Sequence, residues 1–176
     1  MKTKNRLFLL GLALLSVAVL WTRPVLAENE RVTKPTSVGL ELFGRGLLYS
    51  VHVDQVLSEE LAAGIGYGSV GLKTPGGADL NTSAHMLPVY MNYYFMPEQG
   101  SVFATAGANL VLNQSAASGN KAVMSGLVFS SSGVVPNFGV GYENRSPTGV
   151  ILRVTAYGLI AQSFYPWFGF DLGFAF

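Results

Sequence analysis

The sequence predicts an all-β fold, a closed eight-stranded antiparallel transmembrane β-barrel preceded by a cleaved signal peptide. Three observations predict it. Apolar residues recur at every second position in eight segments, the chain is short of charge, and the connections between segments alternate in length.

The N-terminus is set apart first. Lys2, Lys4 and Arg6 precede the apolar run Leu7 to Trp21, and Val25-Leu26-Ala27 has the small-x-small form of a cleavage site, so residues 1–27 read as a secretory signal. The run has 15 residues, short of the roughly 20 that a spanning helix needs. Four of the eleven basic residues lie in this segment, leaving seven against ten acidic ones, a net charge of −3. No basic patch remains for nucleic acid. The absence of cysteine excludes a disulfide staple, a lipid-modified cysteine and paired-Cys metal sites. Residues 28–36 are a short polar lead, and 37–176 form the barrel. No peptidoglycan-binding domain is expected after Phe176.

The chain is 49% hydrophobic and 12% charged, about half the charge of an ordinary soluble domain. Much of its surface is therefore expected to face something other than water. Segments of period 2 are strands rather than helices. They are Ser37–Phe43, Leu47–Leu57, Leu61–Gly71, His85–Phe95, Val102–Leu112, Leu127–Glu143, Gly149–Ala161 and Phe164–Phe176. The sixth is interrupted by Ser130-Ser131-Ser132-Gly133, and its regular part is Val134–Glu143. With the N-terminus on the periplasmic side, the periplasmic connections are short and polar: 58–60, 96–101 and 144–148. Two outer connections, Leu72–Ala84 and Asn113–Gly126, are longer and rich in Gly, Ser, Asn and Ala. The other two, Gly44-Arg45-Gly46 and Gln162-Ser163, are tight.

Each strand then separates into two faces. One collects Val38, Leu40 and Leu42, then Leu47, Tyr49, Val51 and Val53, and ends with the phenylalanines of 164–176. The other collects glycines, asparagines and every charge of the strands. Eight strands enclose too little room for a lumen of Phe, Leu and Val, so the apolar face is expected outward, toward hydrocarbon. In hydrocarbon every backbone group must be paired internally, which a closed barrel achieves. Tyr93, Phe95, Tyr142 and Phe174 would form the inner aromatic girdle, and Tyr49, Tyr67 and Phe164 the outer one.

A signal peptide, eight amphipathic strands and a terminal aromatic preceded by alternating aromatics resemble the small outer-membrane β-barrels of the OmpA-like transmembrane-domain type. The resemblance covers 37–176 in architecture. It implies that Phe170, Leu172, Phe174 and Phe176 serve as the signal read by the barrel-assembly machinery. It also implies an integral outer-membrane location, with outer-membrane lipid and lipopolysaccharide as surroundings.

Six charged or titratable side chains fall on the lumen face: Glu41, His52, Asp54, Glu143, Arg153 and Asp171. Strand closure places Arg153, Asp171 and Glu41 at comparable depth, and a guanidinium fork can serve two carboxylates. We therefore expect a cluster of Arg153 with Asp171 and Glu41, extended by Asp54 and His52. Four carboxylates against one arginine leave a deficit that a protonated His52, a protonated carboxylate, or water and a cation would fill. The cluster is expected to fix strand register and plug the lumen.

Neither catalysis nor a cofactor or metal is expected: the chain has no phosphate-binding glycine loop and no zincin motif. The glycines at 64, 66 and 68 follow strand periodicity and leave space for facing side chains. The expected role is structural, or surface interaction through the outer loops. Two other readings stay open. Ser83 and His85, with Asp79 nearby, could serve nucleophilic chemistry in an enzyme that modifies lipid A. A periplasmic lipocalin-like carrier would need the barrel inside out.

Overall fold

A computed structural model describes residues 30–72, 82–96, 100–114, 123–124, 127–128, 133–161 and 163–176. The proposed signal 1–27, Asp79 and most of the two long connections lie outside the described residues. One helical turn, α1 (Glu30–Thr33), precedes strands β1 (Thr36–Leu42), β2 (Tyr49–Val56), β3 (Leu61–Leu72), β4 (Thr82–Tyr94) and β5 (Gly100–Gln114). A two-residue hairpin follows, β6 (Val123–Met124) and β7 (Leu127–Val128), and then β8 (Gly133–Arg145), β9 (Val150–Ile160) and β10 (Phe164–Ala175). The eight long strands close into one antiparallel barrel in the order β1-β10-β9-β8-β5-β4-β3-β2.

Closure joins the two ends of the chain. β1 pairs β10 with Ser37 opposite Ala175 and Glu41 opposite Asp171. Thr36 and Phe176 complete the seam with reciprocal backbone bonds of 3.3 and 2.9 Å. No sheet edge is then left among these strands, which is the condition for a sheet surrounded by hydrocarbon. The ends of the described chain lie at one end of the barrel, together with the short 57–60 and 146–149 connections. The long connections leave from the other, here termed the loop end.

Seven of the eight expected strands match to within a few residues. The sixth is shorter, because the serine–glycine stretch separates it from Leu127-Val128, which pairs instead with Val123-Met124. Side-chain alternation is regular: β1 and β2 read outward and inward in strict turn, and β9 does so from Val150 to Tyr157. Large apolar side chains stand exposed on all eight long strands, among them Leu40, Val51, Ile65, Met91, Val102, Val140, Leu152 and Phe170. Soluble monomers rarely expose contiguous apolar patches above a few hundred Å². Here such a surface encircles the molecule.

Leu47 departs from the expected alternation. The connection 43–48 bends into the barrel, so that Gly44, Arg45, Gly46 and Leu47 are all buried. Phe43 (φ 55°) and Leu47 (φ 69°) take the left-handed backbone conformation that makes this bend, one that non-glycine residues adopt rarely. The bend fits because the facing wall is glycine: a Cβ on Gly169 would lie 2.7 Å from Gly44 Cα. Leu47 thereby joins Met86, Val111, Val135 and Leu159 in an apolar cluster inside the loop end. Leu48, Ala161, Tyr165 and Trp167 pack against it. A reading by parity alone places Leu47 on the outside, because it takes 47–49 as continuous strand.

Candidate functional site

The lumen is filled in layers from the terminal end upward. In the lowest, α1 turns Arg31 inward until it is 1% exposed. Its Nε and Nη2 donate to Glu143 Oε1 at 3.1 and 3.0 Å. The guanidinium lies over the Tyr94 ring, 3.9 Å from its centroid. Tyr94 donates its hydroxyl proton to Glu143 Oε2 at 2.8 Å. Arg145 adds a 3.3 Å bond from Nε to Glu143 Oε1, and its Nη1 donates to the Lys34 carbonyl at 3.0 Å. Glu143 is fully buried, and a carboxylate can be kept there only by donors of this kind.

The middle layer centres on Arg153. Its Nε donates to Glu143 Oε2 at 2.6 Å, and its Nη1 to Asp54 Oδ2 at 2.6 Å and Asp171 Oδ2 at 2.9 Å. His52 Nε2 lies 3.2 Å from Asp171 Oδ2. Tyr90 donates to Asp54 Oδ1 at 2.5 Å. These groups come from β2, β4, β8, β9 and β10, so one guanidinium ties most of the circumference. The backbone register explains how: Arg153 is opposite Asp171 on one side and Glu143 on the other. Gly64 leaves the necessary space, since a Cβ there would overlap Asp54 and Tyr90.

Glu41 does not join this group. It belongs to an upper layer built on the in-turned connection. The Arg45 backbone N–H donates to Glu41 Oε2 at 2.9 Å, and the two side chains form an ion pair at 3.6 Å. Tyr157 donates to Glu41 Oε1 at 2.5 Å. Arg45 Nη2 donates to Asn92 Oδ1 at 3.2 Å and Thr105 Oγ1 at 3.0 Å. Its guanidinium stacks 3.5 Å from the centre of the Tyr90 ring. Asn109 donates to the Arg45 carbonyl at 2.6 Å and accepts from Asn137 at 3.2 Å. The apolar cluster around Leu47 lies above.

All six lumen residues read from the sequence are therefore buried inside the barrel. Arg153 holds Asp171, Asp54 and Glu143, with His52 beside them, while Glu41 pairs elsewhere. Sequence reasoning missed Arg31, Arg45 and Arg145. With them the buried charges among the described residues are four guanidiniums and four carboxylates, so the expected deficit of cations is not found there. Arg145 was within reach: it lies two positions from Glu143, on the same face of a strand that runs further than expected. Arg31 and Arg45 lie on non-strand segments and follow no strand period. Among the described residues, no three His, Cys, Asp or Glu side chains are grouped to hold a metal ion.

A second polar feature lies on the outer face. His85 is half-buried near the loop end of β4, and its Nδ1 is 2.6 Å from the Tyr67 hydroxyl. The two rings stack at 5.9 Å and 21°. Ser69 is the cross-strand partner of His85. The side chain of Ser83, like Asp79, lies outside the described residues.

No family model and no curated protein matches the chain. Among solved structures it is similar to the N-terminal β-barrel domain of Pseudomonas aeruginosa OprF. The two share 14% identity with a TM-score of 0.57, over 80% of this chain and 95% of that domain. It is also similar to the outer membrane protein Ail of Yersinia pestis, solved in a phospholipid bilayer nanodisc, at 8% identity and a TM-score of 0.48 over 81% of this chain and 99% of that one. That second likeness is too distant to carry an argument. The likeness to the OprF domain shows the fold: a closed, eight-stranded antiparallel barrel.

Proposed function

We infer that the chain is an integral outer-membrane β-barrel with a structural or surface-interaction role, a plugged lumen and no catalytic activity. One observation carries the reading. The apolar face points outward on every long strand, while the charges inside are paired with one another. Water would penalise the first and hydrocarbon tolerates it; a narrow lumen would penalise unpaired charge, and these charges are paired. The partners on this reading are outer-membrane lipid and lipopolysaccharide, with the barrel-assembly machinery during biogenesis reading Phe170, Leu172, Phe174 and Phe176. Those side chains stand exposed in a row at the closing strand.

Gel mobility of the outer-membrane fraction, boiled against unboiled, tests the reading. A closed barrel resists detergent until heated, so two mobilities are expected. A single mobility in the soluble periplasmic fraction would overturn it. The lipid A-modifying alternative rests on the hydrogen-bonded His85; lipid A of identical mass with and without the gene removes it.

A further inference from the structure

We propose that the outer face of β3 and β4 carries a specific binding site for a phosphorylated lipid of the outer leaflet. The Tyr67–His85 pair holds the phosphate, and an adjoining groove holds an acyl chain. The proposal rests on the outer-membrane reading above.

Three observations meet at this place. First, His85 is the one ionisable side chain other than tyrosine on the outward face of the described strand residues. An imidazole in hydrocarbon is costly unless its polar atoms are used. Tyr67 engages Nδ1 at 2.6 Å, and among the described residues no group bonds Nε2. The stacked phenol fixes the ring and leaves Nε2 to a second partner, and an imidazole N–H is a donor suited to an anionic oxygen.

Second, the pair lies just below headgroup depth. His85 is eight positions along β4 from Tyr93. At a rise of about 3.4 Å and a tilt of 35–45°, that is roughly 20 Å along the barrel axis. The apolar band of such barrels is about 25 Å tall between its aromatic girdles. With Tyr93 at the lower girdle, His85 lies in the upper part of the band, about 5 Å below its edge and within side-chain and headgroup reach of the lipid phosphates.

Third, the surface below the pair is not smooth. A shallow, open depression with an almost wholly apolar lining crosses β2 to β5. Its low points are Ala63 on β3 and Ala106 and Ala108 on β5, on either side of Met91 and Val89 of β4. Its upper wall is the cross-strand pair Ile65–Val89. Tyr67 is the next outward residue on β3, and His85 lies two outward residues beyond Val89 on β4. A polar anchor two outward residues above an apolar depression, with Leu87 between them, matches an amphiphile with its head at the rim. The bulky Phe138, Phe164, Phe168 and Phe170 of the opposite strands belong to a face with no comparable anchor among the described residues.

The test uses the full barrel in alkyl maltoside micelles, which carry no phosphate. Bis-phosphorylated lipid A, the same lipid dephosphorylated, and inorganic phosphate are titrated at fixed pH. The His85 Nε2 resonance and the dissociation constants from native mass spectrometry are recorded. The phosphorylated lipid should shift Nε2 and bind about tenfold tighter than the dephosphorylated one, the worth of one charge-assisted hydrogen bond. His85→Ala should abolish that preference. Ala106→Phe, which fills the groove from its lipid-facing side, should weaken both lipids by a similar factor. Equal binding of the two lipids to the wild type, or a preference that survives in His85→Ala, overturns the site. An equal Nε2 shift with inorganic phosphate overturns the lipid as its ligand. Should a variant fail to fold, the wild-type resonance still decides. Loss of the heat-dependent mobility in the wild type would remove the outer-membrane reading instead, so the two failures are distinguishable.

Discussion

The two ends of the lumen are closed by the same short stretch of chain in different ways. Below β1, α1 inserts Arg31 into a carboxylate that Arg145, Arg153 and Tyr94 already serve. Above β1, the 43–48 connection inserts Arg45, which holds Glu41, Asn92 and Thr105, and then Leu47, which packs into an apolar cluster. The lower closure adds one more donor to a satisfied site. The upper closure supplies the only guanidinium its layer has among the described residues, and it also fills volume. The difference teaches that redundancy, rather than burial, decides what a buried charge is worth.

The largest expected effect falls between the two closures. Arg153→Ala would leave Glu143, Asp54 and Asp171 without their shared cation, destabilising the refolded barrel by about 3–5 kcal/mol. Urea unfolding in micelles reads this directly, and an unchanged midpoint would remove the central network as a stabilising element. Arg45→Ala should follow at about 2–3 kcal/mol, because Glu41 keeps the Tyr157 and Ser50 hydroxyls while Asn92 and Thr105 lose a donor. Leu47→Ala should cost about 2 kcal/mol, at the lower end of buried leucine truncations, since the in-turned segment is able to settle into the space. Arg31→Ala should be smallest, about 1 kcal/mol, because Glu143 retains three donors. An Arg31→Ala loss exceeding that of Arg45→Ala would invert the comparison and show that α1, not the 43–48 turn, closes the more demanding end.

The barrel was legible because strand period 2 is enforced everywhere by its surroundings. Outward positions are almost all apolar, and inward ones are small, polar or paired except in the apolar clusters at the two ends of the lumen, so parity assigned most strand side chains from Val38 to Phe174. The lumen residues on strands were legible for the same reason. Depth was harder to read. Glu41 and Asp171 are direct partners across the β1–β10 seam, yet a long flexible side chain can bond a layer above its own Cα, and Glu41 does. Leu47, Arg45 and Arg31 were not legible at all. They sit on segments that bend by left-handed or helical backbone, where sequence spacing says nothing about which way a side chain points. His85 was legible as a candidate, but its partner Tyr67 lies 18 positions away, a pairing that only the β3–β4 register could reveal.

The Arg31–Glu143 contact spans 112 positions, and this has a consequence for how the chain assembles. Arg31 precedes the first strand, while its partners Tyr94 and Glu143 belong to β4 and β8. The two sides of that contact share a lumen only after the intervening strands have paired and the first has met the last. Contacts of such long range are slow to form, because the entropy of closing the loop comes due before any reward. The α1 segment therefore docks at the end of folding rather than at its start, although it is the first part of the described chain to be made. Protection of the Arg31 guanidinium is in effect a clock hand that moves only when the ring of strands is complete.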